Sequence, residues 1–284
     1  MTLKEHIDAI AASLEPLYEP REARSIAIRA VTSLLSVPDY KHLSEPDTLV
    51  DDAKGQLLAE AAERLAKGEP LQYVLGYTWF AGLRIKVGPG VLIPRPETEQ
   101  LYELAAEDCD RLMQESRDDN FSILDICTGS GCLAYAFASE FPEAQVFGCD
   151  ISDAALKIAC RQRVKLQGAR PVLFQADVLA APPAGLPKFD LIVSNPPYVM
   201  ESERAQMEPN VLDWEPEQAL FVPDSDPLLF YRAIALWADG LLKDGGSLWL
   251  EINASLAAET AALFTGAAVI QDINGKDRFI VVKK

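Results

Sequence analysis

The sequence contains only two histidines, His6 and His42, among 284 residues, and its five cysteines include no C-x-x-C pair. Neither a zinc site nor a disulfide framework is therefore predicted, and a histidine-based nucleophilic triad is not expected. The chain also lacks an apolar run long enough to span a membrane, and residues 1–8 lack the apolar core of a signal peptide. These absences predict a cytoplasmic protein without a metal centre or a membrane partner.

Basic residues are also few. The chain has 26 Lys plus Arg against 43 Asp plus Glu, which gives a formal net charge of −17 at pH 7. Such an acidic protein repels a phosphate backbone, and the pair Lys283-Lys284 is too short to form a basic patch. The charge therefore favours a protein or peptide substrate over nucleic acid.

Hydrophobic residues make up 49% of the chain, enough to bury more than one core. Apolar residues recur at helical spacing over residues 3–67, which predicts a small helical bundle. Between residues 73 and 93, alternating apolar residues with interspersed glycines predict a β-hairpin. We therefore predict a helical domain at 1–72, a connecting hairpin at 73–93 and a catalytic α/β domain at 94–284.

The most informative motif is Asn195-Pro196-Pro197-Tyr198, which directly follows an apolar run at residues 189–194. That run is typical of a buried strand, and ligands of open α/β sheets bind where such strands end. Prolines lack an N–H, so the carbonyls of this segment are free to accept hydrogen bonds from a ligand. The Asn195 side chain and the Pro196 carbonyl could each accept one N–H of a planar –NH2 group and prepare its nitrogen to attack an activated methyl group. The alternative is a turn that only ends the strand.

A glycine-rich loop forms a second candidate site. Residues 121–131 predict a strand followed by this loop, and residues 133–141 predict a helix whose positive N-terminus points into it. The spacing Gly129-x-Gly131-x-x-Ala134 also fits the dinucleotide fingerprint, so the loop alone does not separate NAD from other adenosyl cofactors. A turn that needs glycine only for packing is the alternative. The loop residues predicted to bind a cofactor are Thr128, Gly129, Ser130 and Gly131.

Two further predicted strands end in carboxylates. Asp150 closes the strand at 144–150 and is placed to accept both hydroxyls of a ribose. Asp177 and Val178 follow the strand at 172–176, where a carboxylate and an apolar side chain suit the amino group and the ring face of adenine. The alternative for Asp177 is the cap of a turn or helix.

Taken in order, these features resemble the adenosylmethionine-dependent methyltransferases that act on planar nitrogens. The resemblance implies a class I Rossmann-like α/β fold, with a mostly parallel sheet, an antiparallel terminal hairpin and a preceding small helical domain. Several segments resemble more narrowly the peptide chain release factor N5-glutamine methyltransferases. They are residues 72–76, 80–82, 91–99, Glu215-Pro216, 219–221 and 275–278.

This resemblance implies an enzyme of translation termination. It would transfer a methyl group from S-adenosyl-L-methionine, leaving S-adenosyl-L-homocysteine, to the side-chain amide nitrogen of the glutamine in the Gly-Gly-Gln motif of class I peptide chain release factors. Asn195, Pro196 and Tyr198 would be catalytic, with the first two holding the amide and Tyr198 packing against it. These residues and Pro197 would bind the substrate, and Asn195 would also face the cofactor. The helical domain would help to hold the release factor, and a monomer would suffice.

The resembled family usually has glycine where this chain has Cys127. A cysteine predicts that this position does not require a positive φ, and it weakens the case for Cys127 as a cofactor contact. Arg95 and Glu97 are interpreted as part of a helix start without a catalytic role.

The sequence is also compatible with three alternatives. The first is an adenine-N6 methyltransferase acting on nucleic acid, which the net charge disfavours. The second is a glutamine methyltransferase acting on a ribosomal protein, although Pro-Glu-Thr-Glu at residues 96–99 favours the release-factor branch. The third is a module that binds without turnover.

The part of the chain after Tyr198 carries two further predictions. Residues 201–226 predict a long substrate-facing loop with an acidic face formed by Glu208, Asp213, Glu215 and Glu217. Residues 243–246 predict a turn between a helix at 227–242 and the last strands.

Overall fold

The computed structural model describes residues 1–115 and 120–284. They form two compact units. The first comprises Met1–Tyr77 and Glu208–Trp214, and the second comprises Thr78–Met207 and Glu215–Lys284. The domain boundaries at residues 72 and 93 stay predictions.

The helices and strands are numbered in chain order. The α-helices of the described residues are α1 Leu3–Leu14, α2 Pro20–Leu35, α3 Lys41–Ser44, α4 Asp52–Leu65, α5 Leu71–Leu75, α6 Pro96–Glu115, α7 Cys132–Glu140, α8 Asp153–Ala159, α9 Pro209–Trp214, α10 Leu229–Leu241 and α11 Ala257–Ala261. The β-strands are β1 Tyr77–Phe80, β2 Leu83–Lys86, β3 Ser122–Ile126, β4 Gln145–Asp150, β5 Val172–Gln175, β6 Phe189–Ser194, β7 Val199–Met200, β8 Phe221–Val222, β9 Leu242–Glu251, β10 Ala268–Gln271 and β11 Asp277–Lys283. None of the helices within residues 1–115 and 120–284 has the length and apolar character needed to cross a bilayer.

The first unit is helical because its apolar side chains fall on one face of each helix. In α1 that face is formed by Leu3, Ile7, Ile10 and Leu14, all of them buried. A capping box starts α1, since Thr2 Oγ1 accepts a hydrogen bond from the backbone N–H of Glu5, whose side chain accepts one from the N–H of Thr2. The predicted N-terminal helical domain is therefore confirmed.

The second unit contains a seven-stranded sheet with the order β10-β11-β9-β6-β3-β4-β5. The strands from β9 to β5 pair in parallel, whereas β11 pairs antiparallel with both β9 and β10. This arrangement confirms the predicted α/β fold with a mostly parallel sheet and an antiparallel terminal hairpin. Both faces of a parallel sheet are covered, which explains why every residue of β3 and β6 is buried.

The strand order also explains where a ligand can bind. The chain moves outward from β3 to β4 and β5, and then returns to β6 on the other side of β3. Such a reversal leaves a crevice at the carboxyl ends of the two strands that flank it. The loops that begin at Cys127 and Asn195 follow those two strands directly.

The predicted turn at residues 243–246 is wrong, because β9 runs through it. Phe189 of β6 pairs with Leu242, but Leu191 pairs with Ser247, so the register between the two strands shifts at residues 243–246 while β9 continues. A Cβ at Gly246 would lie 2.7 Å from the carbonyl oxygen of Asp190. Gly246 therefore permits a close approach of the backbone of β6, and the strand does not end there.

The predicted long loop at residues 201–226 is also wrong, because the segment contains helical turns and short strands. Two 3₁₀ turns, α9 and the parallel pair β7–β8 occur within it or at its edges. The side chain of Arg204 forms ion pairs with Glu201 and Glu217 and lies 4.0 Å from the ring centroid of Phe221. These contacts order a segment whose composition alone suggested a solvated loop.

Candidate active site

A cavity of about 230 Å³ lies in the second unit, next to the residues that end β3, β4, β5 and β6. Three of the predicted site residues, Gly131, Pro196 and Tyr198, do not line this cavity, whereas their neighbours in the same two segments do. The glycine loop and the N-P-P-Y segment therefore share one cavity. The predicted site residues on its wall are Thr128, Gly129, Ser130, Asp150, Asp177, Val178, Asn195 and Pro197.

The glycine loop is held by Asp125, a residue that the sequence reasoning missed. Asp125 Oδ2 accepts a hydrogen bond of 2.5 Å from Thr128 Oγ1 and one of 3.1 Å from the backbone N–H of Ala134. These bonds connect β3 with the loop and with the first turn of α7. Burial raises the pKa of Asp125 to about 7, against the opposing effect of both donors. The sequence signal for this role was an acidic residue among the apolar residues Ile123, Leu124 and Ile126 of β3.

The conformation of Cys127 corrects the sequence prediction, since its φ is +61°. The chain leaves β3 through a left-handed residue here, and Gly129 and Gly131 also have positive φ values. For a residue with a Cβ, this conformation costs about 1–2 kcal/mol. Cys127 also lies on the cavity wall, although the sequence reasoning had weakened its case as a contact. The thiol packs against the core of the sheet, which explains how the strained residue is accommodated.

We expect Cys127→Gly to be more stable than Cys127→Ala by about 1 kcal/mol, because both variants lose the thiol but only glycine adopts a positive φ without a Cβ penalty. Urea unfolding of the two purified variants measures this difference. An alanine variant as stable as the glycine variant would contradict the strained geometry.

Asp150 is held by the backbone of two loops. Its Oδ2 accepts a hydrogen bond of 2.8 Å from the N–H of Gly129, and its Oδ1 accepts one of 2.8 Å from the N–H of Ser152. Burial raises the pKa of Asp150, and these backbone donors oppose the rise. Each carboxylate oxygen has a further lone pair, so Asp150 can still accept two hydroxyl groups of a ligand.

Asp177 and Val178 follow β5 at the same cavity. Asp177 is exposed, and its Oδ1 accepts a hydrogen bond of 2.9 Å from the N–H of Leu179. This bond makes the turn cap that the sequence left open as an alternative. Val178 is buried and supplies an apolar surface. A role for either residue in binding adenine stays a prediction.

The N-P-P-Y segment begins at a fixed position because Ser194 Oγ, at the end of β6, donates a hydrogen bond of 2.6 Å to the carbonyl of Ile126. Asn195 Nδ2 donates one of 2.9 Å to Thr98 Oγ1. Among the residues that the structure describes, neither Asn195 Oδ1 nor the Pro196 carbonyl accepts a hydrogen bond. Two acceptors at this strand end therefore have no partner among the described residues, and of the two residues Asn195 lines the cavity whereas Pro196 does not.

Tyr198 lies outside the cavity wall and contacts a buried carboxylate. Its hydroxyl donates a hydrogen bond of 2.8 Å to Glu251 Oε1. The sequence reasoning missed Glu251, as it missed Thr98, since both become neighbours of the motif only when α6 and β9 pack beside β6.

Glu215 connects two segments that line the cavity. The prediction that it lies on the exposed acidic face of a loop at residues 201–226 is therefore wrong. Glu215 is buried, its Oε2 accepts a hydrogen bond of 2.9 Å from the N–H of Ile93, and its Oε1 lies 2.6 Å from Arg95 Nη2. Leu92, Pro94 and Pro216, which flank these three residues, line the cavity. Arg95 therefore has a structural role beyond the helix start that the sequence suggested.

Comparison with known proteins agrees with this architecture. The family model described as the methyltransferase small domain matches residues 109–212, and the one described as the PrmC N-terminal domain matches residues 9–76. A release factor glutamine methyltransferase of Bacteroides thetaiotaomicron is 40% identical over 97% of this chain and 98% of its own length. Proteins of the same name from Flavobacterium psychrophilum and Thermodesulfovibrio yellowstonii are 36% and 40% identical, over 99% and 93% of this chain and 99% and 92% of their own lengths.

These similarities extend over both compact units and include the glycine loop and the N-P-P-Y segment. The family resemblance predicted from the sequence is thereby confirmed. The chain belongs to the release factor glutamine methyltransferase family.

Proposed function

We propose that this chain transfers a methyl group from S-adenosyl-L-methionine to the side-chain amide nitrogen of the glutamine in the Gly-Gly-Gln motif of a class I peptide chain release factor. The observation that carries the proposal is the pair of available acceptors, Asn195 Oδ1 and the Pro196 carbonyl, at the end of β6. Asn195 borders the same cavity as the glycine loop. The relatives from Bacteroides thetaiotaomicron and Flavobacterium psychrophilum are named release factor glutamine methyltransferases, which supports the release factor as substrate.

The residues of the cavity fit an adenosyl cofactor. Asp150 offers carboxylate lone pairs to a ribose diol, Asp177 offers an acceptor to the amino group of adenine, and Val178 with Leu179 offers an apolar surface to the adenine ring. A Cβ at Gly129 would meet no atom within 4 Å, so the backbone at this position is open to close approach. Thr128, Ser130 and Gly131 complete the loop that we propose binds the cofactor. When bound, S-adenosyl-L-methionine supplies an electrophilic methyl group on a sulfonium.

The acceptors activate the glutamine amide by holding its two N–H groups. An amide nitrogen is a poor nucleophile because its lone pair is delocalised into the carbonyl. Asn195 Oδ1 and the Pro196 carbonyl each accept one N–H, which increases electron density on the nitrogen and orients its lone pair out of the amide plane. Positioning and preorganised dipoles of this kind lower the barrier without a covalent intermediate. We propose that Pro197 and Tyr198 also bind the substrate, with Tyr198 packing against the amide.

Net charge supports a protein substrate over the nucleic-acid alternative. At −17, the chain would have to overcome repulsion from many phosphates to extract an adenine from a duplex. We further propose that the helical unit contributes to binding the release factor, and that the chain acts as a monomer.

The test is methyl transfer from radiolabelled S-adenosyl-L-methionine by the purified chain. Four methyl acceptors are offered separately: a release factor, its variant with alanine in place of the motif glutamine, a ribosomal protein fraction and DNA. We expect label on the unmodified release factor alone. Label on DNA, or equal label on the alanine variant, would refute the assignment.

A further inference from the structure

A buried hydrogen-bond chain leads from β9 to the proposed catalytic carboxamide. Glu251 at the end of β9 and Thr98 in α6 are 1% and 3% exposed. Thr98 Oγ1 donates a hydrogen bond of 2.7 Å to Glu251 Oε2 and accepts the one of 2.9 Å from Asn195 Nδ2. The other oxygen of Glu251 accepts a hydrogen bond of 2.8 Å from the Tyr198 hydroxyl. One carboxylate therefore has contacts to both polar side chains of the N-P-P-Y motif, one of them through Thr98.

The donor of each hydrogen bond between Glu251 and Asn195 can be assigned by counting hydrogens. An ionised carboxylate only accepts, so the single hydroxyl hydrogen of Thr98 is used on Glu251. Thr98 Oγ1 can then only accept from Asn195, and the Nδ2 group is the one part of that carboxamide that donates. The amide of Asn195 is consequently oriented with Nδ2 towards Thr98 and Oδ1 away from it.

Two hydroxyl donors favour the ionised form of Glu251. Both carboxylate oxygens accept hydroxyl hydrogen bonds. Burial and the negative charge of Glu97 raise the pKa of Glu251, and they outweigh the bonds from Thr98 and Tyr198 and the positive charge of Arg278, which lower it. Burial, together with the negative charge of Glu251, raises the pKa of Tyr198 well above its ordinary value, so Tyr198 keeps its proton and remains a donor.

We propose that Glu251 and Thr98 are positioning residues that hold the Asn195 carboxamide with its oxygen, not its nitrogen, facing the substrate amide. The two ends of a carboxamide have nearly the same shape, so packing alone does not select between them. With Asn195 reversed, an –NH2 group would face the –NH2 group of glutamine, and two donors cannot form a hydrogen bond. This proposal rests on the proposed function, since the orientation of the Asn195 carboxamide matters only for a substrate that donates hydrogen bonds to it.

The kinetic test compares Thr98→Val, Thr98→Ser and Glu251→Gln. Valine has the shape of threonine without the hydroxyl, and serine keeps the hydroxyl. Glutamine at position 251 can donate a hydrogen bond to Thr98 Oγ1, which would reverse the donors and acceptors from residue 251 to Asn195. We expect kcat to fall about 10- to 100-fold in Thr98→Val and Glu251→Gln. Thr98→Ser should stay within about threefold of the native chain, and calorimetry should give an unchanged Kd for S-adenosyl-L-methionine. The double variant Glu251→Gln/Thr98→Val should be no slower than Thr98→Val, because both changes act through one carboxamide.

A second measurement follows Asn195 itself in the protein without cofactor or substrate. Exchange of the Asn195 Nδ2 hydrogens, observed by NMR, should be faster in Thr98→Val than in Thr98→Ser or the native chain, because only valine removes their acceptor. Native exchange in Thr98→Val, or a kcat of Thr98→Ser as low as that of Thr98→Val, would overturn the proposal. A native chain that does not methylate the release factor would instead refute the proposed function, and the exchange experiment would still decide the orientation of Asn195.

Discussion

Asn195→Ala should lower kcat for release factor methylation by about 100- to 1000-fold, the usual cost of removing one preorganised polar group that acts in the transition state. The variant loses Oδ1, one of the two acceptors available at the end of β6. The Kd for S-adenosyl-L-methionine, measured by calorimetry, should remain nearly unchanged because Asn195 mainly holds the glutamine amide of the substrate.

A matched control is Asn274→Ala, since Asn274 is exposed in the turn between β10 and β11. The same change of residue there should leave kcat within about twofold of the native value, as for a surface substitution. If Asn195→Ala instead weakens cofactor binding as strongly as it slows turnover, Asn195 serves the cofactor and its assignment to the substrate amide is wrong.

The features that the sequence predicted correctly depend on local pattern. A buried parallel strand is a short apolar run, as at residues 189–194, and a glycine loop before a helix has its own spacing. The chain order of such units limits the topology, because parallel strands need crossover connections and ligands bind where the strand order reverses. The common cavity of Gly129 and Asn195 therefore followed from the order of the motifs.

The features that the sequence did not predict depend on contacts between distant segments. Thr98 looked like part of a helix start and Glu251 like the end of a strand, and neither position indicates that one bonds the other beside Asn195. Glu215 appeared to be one acidic residue among several until its contacts with Ile93 and Arg95 showed it to be buried. A buried carboxylate needs such partners, but the sequence does not show which carboxylates are buried.

The left-handed conformation of Cys127 shows a different limit. Residue type indicates which φ values are easy to adopt, so a cysteine predicts an ordinary conformation. The exit from β3 nevertheless requires a positive φ, and the surrounding packing maintains it at a cost of about 1–2 kcal/mol. Strain that the rest of the fold offsets cannot be inferred from the residue that carries it.

Asp150→Ala should raise the Kd for S-adenosyl-L-methionine by roughly 30- to 160-fold, which corresponds to about 2–3 kcal/mol for hydrogen bonds to a charged group. Asp150 also accepts from the N–H groups of Gly129 and Ser152, so alanine would loosen the loop as well. Asp150→Asn separates these effects, since it keeps the size of the side chain but loses the charge and one acceptor oxygen. We expect weaker binding in both variants, with the greater loss in alanine.

A control variant and the pH dependence of binding test whether the Asp150 carboxylate is the cause of the lost cofactor affinity. Asp153→Ala removes the same charge from the exposed start of α8, and should leave the Kd within about twofold of the native value. Burial raises the pKa of Asp150, so its ionised form is present above that raised pKa and is lost as the pH falls through it. Cofactor affinity of the native chain should therefore decline on acidification, starting at a higher pH than an exposed aspartate would give, and Asp150→Asn should lack this decline. An affinity that is the same in the native chain and in Asp150→Ala would exclude the ribose contact.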